Sequence, residues 1–257
     1  PSEMPRSTEV LVIGLGLAGR EAAEAATEAG ASVVGIDRGA GATVVGLSPN
    51  EDGGWVVLVQ TAAGSAEIGS AAVIVATGAY FEPREHRAIA GGRPAGVMTG
   101  DLAWQLVRHG LRPGRVVALV GGPGDADHLA AAMVDAGAHV IRLADAPDAL
   151  RGEVRLEAVR AEDRWLAADT LVLADRLLPQ AFVLRGLGLT DARPGVPAPA
   201  DGDGRLPLEG LWAVGCCVNP SLDHRTCVEQ GRLVGRGAAR AVAPSKHLSA
   251  DRPVATH

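Results

Sequence analysis

Gly14-Leu15-Gly16-Leu17-Ala18-Gly19 is the stretch of this 257-residue chain best equipped for chemistry. Glycines at this spacing turn a strand tightly into a helix. Gly14 permits the turn, Gly16 lets the backbone approach a pyrophosphate, and Gly19 lets helix and strand pack closely. The N–H groups that open the helix then face the phosphates, where the macrodipole favours negative charge. Asp37 follows about 20 residues after the turn, where a carboxylate accepts hydrogen bonds from an adenosine ribose. Leu17, Ala18 and Arg38 complete this candidate dinucleotide-binding set.

A second turn, Gly121-Gly122-Pro123-Gly124, copies the first less fully, because Asp127 stands where the third glycine belongs. Asp125 and Asp127 suit a helix start as caps, and they would repel a pyrophosphate lying there. Asp145 could still accept a ribose. NAD(P) binding at this turn stays open; a retained fold with a lost site is the favoured expectation.

Cys216, Cys217 and Cys227, with His224 between, match no standard four-cysteine cluster spacing. A redox pair is more usually C-x-x-C. Free thiols buried at the end of a core strand are the expectation, with a cofactor-side role for Cys216 as the alternative, and no metal site is expected. Asp223-His224-Arg225 reads as a surface loop with a helix cap in preference to an acid–base group. His86, His109 and His128 read as solvated or capping residues, and Trp104 and Trp212 as core. The catalytic residue is left unassigned.

The elements around these residues follow from periodicity. Glu9 to Ile13 and Ser32 to Ile36 read as buried parallel strands flanking a helix over Arg20 to Ala29, a βαβ unit. Thr43 to Leu47, Trp55 to Gln60 and Ala66 to Ile68 read as a small antiparallel meander, with turn residues between them. Ala72 to Ala76 is another buried strand. Residues 80–113 form a connector with a helix at about Asp101 to His109. A second βαβ unit runs from Val116 to Leu143, and short strands are expected at Val154 to Arg160, Trp165 to Ala167 and Thr170 to Leu173. Asp191 to Gly204 is the clearest linker, before a strand at Gly210 to Val214 and a helix at Val228 to Val242.

Bulk composition excludes several functions. Hydrophobic residues make up 47% and charged residues 21%, ordinary values for a globular chain, and the formal net charge is −6. Acidic and basic residues are interleaved with no Lys/Arg-rich run, so no nucleic-acid partner is expected. No apolar run approaches the roughly 18–20 residues of a membrane span. Pro1 to Arg6 lacks a signal-peptide layout. Three cysteines make no disulfide framework, so a cytoplasmic location is expected.

Val75-Ala76-Thr77-Gly78-Ala79 resembles the ATG motif of two-dinucleotide-domain FAD/NAD(P)-dependent oxidoreductases, the pyridine nucleotide-disulfide reductase-like superfamily. Leu208-Glu209-Gly210-Leu211-Trp212-Ala213-Val214-Gly215 resembles their second flavin strand, and Glu229-Gln230-Gly231-Arg232 with Gly235 and Ala238-Ala239 the helix after it. Pro94 to Thr99 and Arg112 to Val117 resemble the connector of one branch, the α-type subunits of multi-subunit amine and amino-acid dehydrogenases and oxidases. That branch includes sarcosine oxidase, dye-linked proline dehydrogenase, opine oxidase and hydrogen cyanide synthase. The chain departs from the superfamily pattern in two places. Cys216 follows Gly215 where an aspartate is usual, and the segment from Asp37 to Ala76 is short.

The resemblance implies an α/β fold. A discontinuous Rossmann-like FAD-binding domain (1–98 and 200–257) is expected to enclose a smaller inserted Rossmann-like nucleotide domain (99–199). It implies FAD held by Gly14, Gly16, Leu17, Ala18, Gly19, Asp37, Arg38, Thr77, Gly78, Gly215 and Cys216. The expected activity is that of a flavin-dependent oxidoreductase subunit, with a partner dehydrogenase or oxidase subunit and a small-molecule electron donor or acceptor. The alternatives are a non-catalytic scaffold that kept the fold, and a stand-alone NAD(P)H–flavin reductase.

Overall fold

A computed structural model describes residues 5–51, 53–191 and 193–243. The described chain divides into two compact units. One runs up to Gly78 and resumes at Pro179; the other is Ala79–Leu178. The first unit opens with β1 (Ser7–Ile13), α1 (Leu17–Glu28), β2 (Val33–Ile36), β3 (Ala42–Pro49), β4 (Trp55–Thr61) and β5 (Gly64–Val75). The second begins with β6 (Ala79–Phe81), β7 (Val97–Thr99), α2 (Gly100–Arg108), β8 (Val116–Val120), α3 (Asp125–Asp135) and β9 (His139–Leu143). It continues with β10 (Ala149–Arg151), β11 (Ala158–Ala161), β12 (Arg164–Ala167), β13 (Thr170–Leu173) and β14 (Leu177–Pro179). The chain then supplies β15 (Leu211–Ala213) and α4 (His224–Val242) to the first unit.

Buried apolar runs make the strands of the first unit. Val10, Leu11 and Val12 are wholly buried on both faces of β1, as are Val73, Ile74 and Val75 of β5. The sheet order is β2-β1-β5-β4-β3, with β15 also on β5. β2, β1, β5 and β15 run parallel, whereas β4 pairs antiparallel with both β5 and β3. One long strand therefore serves both parts. β5 carries the meander through Gly64–Ser70 and the parallel sheet through Ala72–Val75. The sequence suggests two strands here, at Ala66 to Ile68 and Ala72 to Ala76. Ser70 joins them, because its hydroxyl is buried and donates to the Ala72 carbonyl at 2.6 Å, so the polar residue does not interrupt the strand.

α1 and α4 cover one face of this sheet with small residues. Ala18, Ala22, Ala25 and Ala26 of α1 are buried, and so are Gly231, Gly235, Ala238 and Ala239 of α4. A Cβ on Gly231 would lie 2.4 Å from the Ala18 carbonyl oxygen, and one on Gly235 2.2 Å from that of Ala22. The helices touch backbone to backbone, and Arg232 Nε donates to Glu21 at 2.7 Å beside the contact.

The second unit has its own parallel sheet, β7-β13-β8-β9. Val117, Ala118, Leu119, Leu171, Val172 and Leu173 fill its centre, all wholly buried. β10, β11 and β12 form a separate antiparallel sheet. The contacts place the unit boundaries about 20 residues before the expected ones at 98/99 and 199/200. Hydrogen bonding accounts for the difference. β7 pairs with β13, which draws the connector into the second sheet, and the Ala198 N–H donates to the Cys217 carbonyl at 2.9 Å, which ties the expected linker to the first unit. The strand expected at Val154 to Arg160 forms only from Ala158. Among the described residues, no helix is long and apolar enough to cross a membrane.

Candidate dinucleotide site

The first glycine turn leaves β1 through Gly14, whose N–H donates to the Ile36 carbonyl at 2.8 Å. Gly14 has φ +93°, and a Cβ there would lie 2.5 Å from the Ala76 carbonyl oxygen. A Cβ on Gly19 would come within 1.9 Å of the Gly14 carbonyl oxygen. Gly19 is thus required by a contact within the turn itself, and Gly14 by the close approach of the chain leaving β5 at Ala76. Gly16 differs, since a Cβ there would meet nothing within 4 Å. It caps α1 without a side-chain acceptor, and no acid stands in the helix's first turn. The opening N–H groups are thus left to solvent or an anion.

Asp37 reaches this turn from the end of β2. One carboxylate oxygen accepts the Leu15 N–H and the other the Gly39 N–H, both at 2.7 Å. The carboxylate fastens the glycine turn to the strand end, and each oxygen keeps a further lone pair for a hydroxyl donor. Leu15 lies over Gly35 of β2, where a Cβ would be 2.7 Å from its side chain. Arg38 is exposed in the short turn that Asp37 caps. Leu17 is half-buried and Ala18 buried.

The later residues arrive from two further segments. Gly215, at φ +78°, opens a turn of 3₁₀ type, Gly215–Cys217, and a Cβ on it would lie 2.9 Å from that of Ala18. The chain leaving β15 therefore turns directly against the first turn of α1. Thr77 and Gly78 continue from β5, where the Thr77 hydroxyl donates to the Gln180 carbonyl and the Gln180 N–H donates to the Gly78 carbonyl at 2.9 Å. Gln180 carries no sequence signal for this role. It is the chain's return through Pro179 that brings it there.

The three cysteines are free thiols. Cys217 is wholly buried, with its Sγ 3.3 Å from the Val214 carbonyl and 3.4 Å from that of Val75, and burial pushes its pKa up. Cys216 is half-buried and Cys227 buried. Asp223 caps α4, accepting the Thr226 N–H at 2.7 Å, and this bond holds its carboxyl below the usual carboxylate range. His86, His109 and His128 are exposed, Trp104 is half-buried and Trp212 is buried. Among the described residues, no group of three or more His, Cys, Asp or Glu is arranged to hold a metal ion.

The second glycine turn is occupied by its own side chains. Asp127 accepts the Gly124 N–H at 3.0 Å and pairs with Arg142 at 2.9 Å. Arg142 also donates to the carbonyls of Gly121 and Ala126, at 2.8 and 3.0 Å. Asp125 and Asp127 both stand in the first turn of α3.

No protein-family model and no curated protein matches the chain. Solved structures do. L-proline dehydrogenase from P. horikoshii superposes with a TM-score of 0.73 at 20% identity, over 89% of this chain and 54% of that one. The chain thus spans about half the length of that dehydrogenase. Thioredoxin reductase from T. acidophilum matches at a TM-score of 0.67 and 16% identity, over 92% of this chain and 99% of the other. A FAD-dependent pyridine nucleotide-disulphide oxidoreductase from Desulfovibrio vulgaris matches at 0.68 and 19%, over 90% and 71%. The fold is theirs. It is the α/β arrangement of two dinucleotide-type units expected from the sequence, and at these identities the likeness is one of architecture.

Proposed function

We propose that the first unit binds FAD and that the chain serves as a flavin-dependent oxidoreductase. One observation carries this reading: α1 begins at an open Gly16, with no capping side chain and no acid in its first turn. A diphosphate placed there meets unsatisfied N–H groups and the positive end of the helix dipole. Gly14 and Gly19 hold the backbone in that form, and Leu17 and Ala18 supply the adjacent N–H groups. Asp37 keeps the turn docked on β2 and accepts a ribose hydroxyl, with Arg38 at the rim. Thr77, Gly78, Gly215 and Cys216 lie on the flavin side. The Cys216 thiol is a weak hydrogen-bonding group and cannot give the paired acceptors of a carboxylate, so backbone groups carry more of the flavin end.

When bound, the flavin would supply the hydride or electron chemistry, while the chain supplies binding, orientation and electrostatics. The finer reading is a subunit of a multi-subunit amine or amino-acid dehydrogenase or oxidase, with a partner dehydrogenase subunit and a small-molecule electron donor or acceptor. Its support is the connector pattern at Pro94 to Thr99 and Arg112 to Val117, together with the likeness to a proline dehydrogenase longer than this chain. The domain assignment follows the same reading, with a FAD-type first unit and a nucleotide-type second unit whose own site is lost. Asp127 and Arg142, folded into the second turn, favour a scaffold role for that unit and argue against a stand-alone NAD(P)H–flavin reductase.

Titrating the purified chain with FAD, followed by flavin fluorescence quenching and visible absorption, tests the proposal. Saturable binding that ADP competes away is the expected result. A chain that folds yet binds neither FAD nor ADP overturns it. Purification from the native source with a dehydrogenase-type partner tests the finer reading, and isolation of the chain alone as an active NAD(P)H–flavin reductase overturns that part.

A further inference from the structure

Two thiols of the first unit stand within reach of each other on different elements. Cys216 lies in the 3₁₀-type turn Gly215–Cys217, Cys227 in the first turn of α4, and their sulfurs are 3.9 Å apart. A disulfide holds its sulfurs about 2.05 Å apart, so closure asks for an approach of roughly 2 Å. Cys217 is next in sequence but engaged elsewhere, enclosed by the Val75 and Val214 carbonyls. Cys216 is the half-exposed member, open to a reagent, and Cys227 is the buried one behind it.

We propose that Cys216 and Cys227 form a reversible disulfide by exchange with a small-molecule disulfide of the glutathione type. Cys216, as its thiolate, attacks one sulfur of the reagent. The reagent's S–S bond breaks, and one small thiol departs with the proton that Cys216 gave up. Cys227 then attacks the Cys216 sulfur of the mixed disulfide and expels the second small thiol. Two cysteine thiols are oxidised and one small disulfide is reduced to two thiols. Burial, followed by the negative charge of a Cys216 thiolate, pushes the Cys227 thiol up to about 12. A Cys216 held in a mixed disulfide is uncharged, which removes the second cause when Cys227 must ionise. The product bond would staple the Gly215–Cys217 turn to the start of α4. Nothing in this exchange depends on bound flavin.

The test exposes the purified full-length chain to glutathione disulfide, blocks remaining thiols in denaturant, and digests with trypsin without reduction. The expected product is residues 206–225 linked to residues 226–232, with two of the three thiols lost to alkylation and recovered after dithiothreitol. Cys216→Ser removes the linked pair, and Cys217→Ser retains it. Fragmentation of the wild-type linked peptides places the bond at 216 or 217, which keeps the assignment testable if Cys217→Ser fails to fold. A chain that stays reduced, that stops at a glutathione adduct on Cys216, or that links through Cys217 overturns the proposal.

Discussion

In the first unit the helix after the glycine turn begins at Gly16, faces open space and carries no acid in its opening turn. In the second, Asp127 bends back onto the Gly124 N–H, and Arg142 spans the carbonyls beneath. Both turns join a buried parallel strand to a helix. What separates them is the acid: in the second turn the N–H of the capping Gly124 has the Asp127 carboxylate as its partner and Arg142 holds the neighbouring carbonyls, whereas the first turn carries no acid. A carboxylate already seated at the turn opposes an anion there, and a turn without one can take it. The third glycine makes the same point. Gly19 is forced by the Gly14 carbonyl, while the matching place in the second turn has room for the Asp127 side chain, which is 59% exposed.

Substitutions in the two turns test that contrast, beginning with the severest. Gly19→Val drives a branched side chain into a carbonyl oxygen that even a Cβ would approach to 1.9 Å. A loss of about 3 kcal/mol or more is expected, read as a large drop in melting temperature or a failure to accumulate folded protein. Gly16→Asp separates fold from ligand. Aspartate is a good N-cap, so thermal stability is kept or raised. Its charge beside a pyrophosphate weakens FAD binding by about 30-fold, roughly 2 kcal/mol. Unchanged FAD affinity in a folded Gly16→Asp chain would place the ligand elsewhere.

Asp127→Gly reverses the contrast by restoring the missing glycine. It removes the Gly124 cap and the Arg142 pair, for an expected loss of about 1 kcal/mol in denaturant titration. NADH binding, followed by fluorescence, rises a few-fold, and FAD binding stays as it was. The smallest effect belongs to Asp223, a self-supplied acid cap within the first unit. Its folded carboxyl titrates below the ordinary 3.8, so the cap contributes fully above that value and fades as pH falls through the lower, folded one. Asp223→Asn keeps a capping oxygen that does not titrate, and flattens this acid limb of the thermal stability profile.

The first glycine turn is legible in the sequence because its shape is fixed largely by local geometry. Gly16 and Gly19 answer to an opening and a contact within one strand–turn–helix unit, and a spacing rule captures that, whereas Gly14 also answers to the Ala76 carbonyl beyond β5. Asp37 is singled out in the sequence by its distance along the chain, but its bonds to Leu15 and Gly39 are not, since both partners are backbone N–H groups with no signature. Gln180 was invisible for a related reason: it bonds Thr77 and Gly78 through main-chain atoms from a hundred residues away. From its sequence β5 reads as two strands, and no spacing signals that Ser70 between them spends its hydroxyl on the Ala72 carbonyl and lets one strand run through. The approach of Cys216 to Cys227 depends on how α4 meets the Gly215–Cys217 turn, a tertiary fact that no spacing encodes.

The clasp at Gln180 carries one more consequence. The polypeptide leaves the first unit at Gly78 and re-enters at Pro179 with exit and entry fastened side by side. Whatever lies between need only present two neighbouring ends, as a cassette does in a socket. Its excision, with a few glycines joining the cut, would ask no rerouting of the main chain that remains. By the same token, a different insert with adjacent termini could be grafted there, and the first unit could have gained or exchanged its guest without redesign of its own sheet.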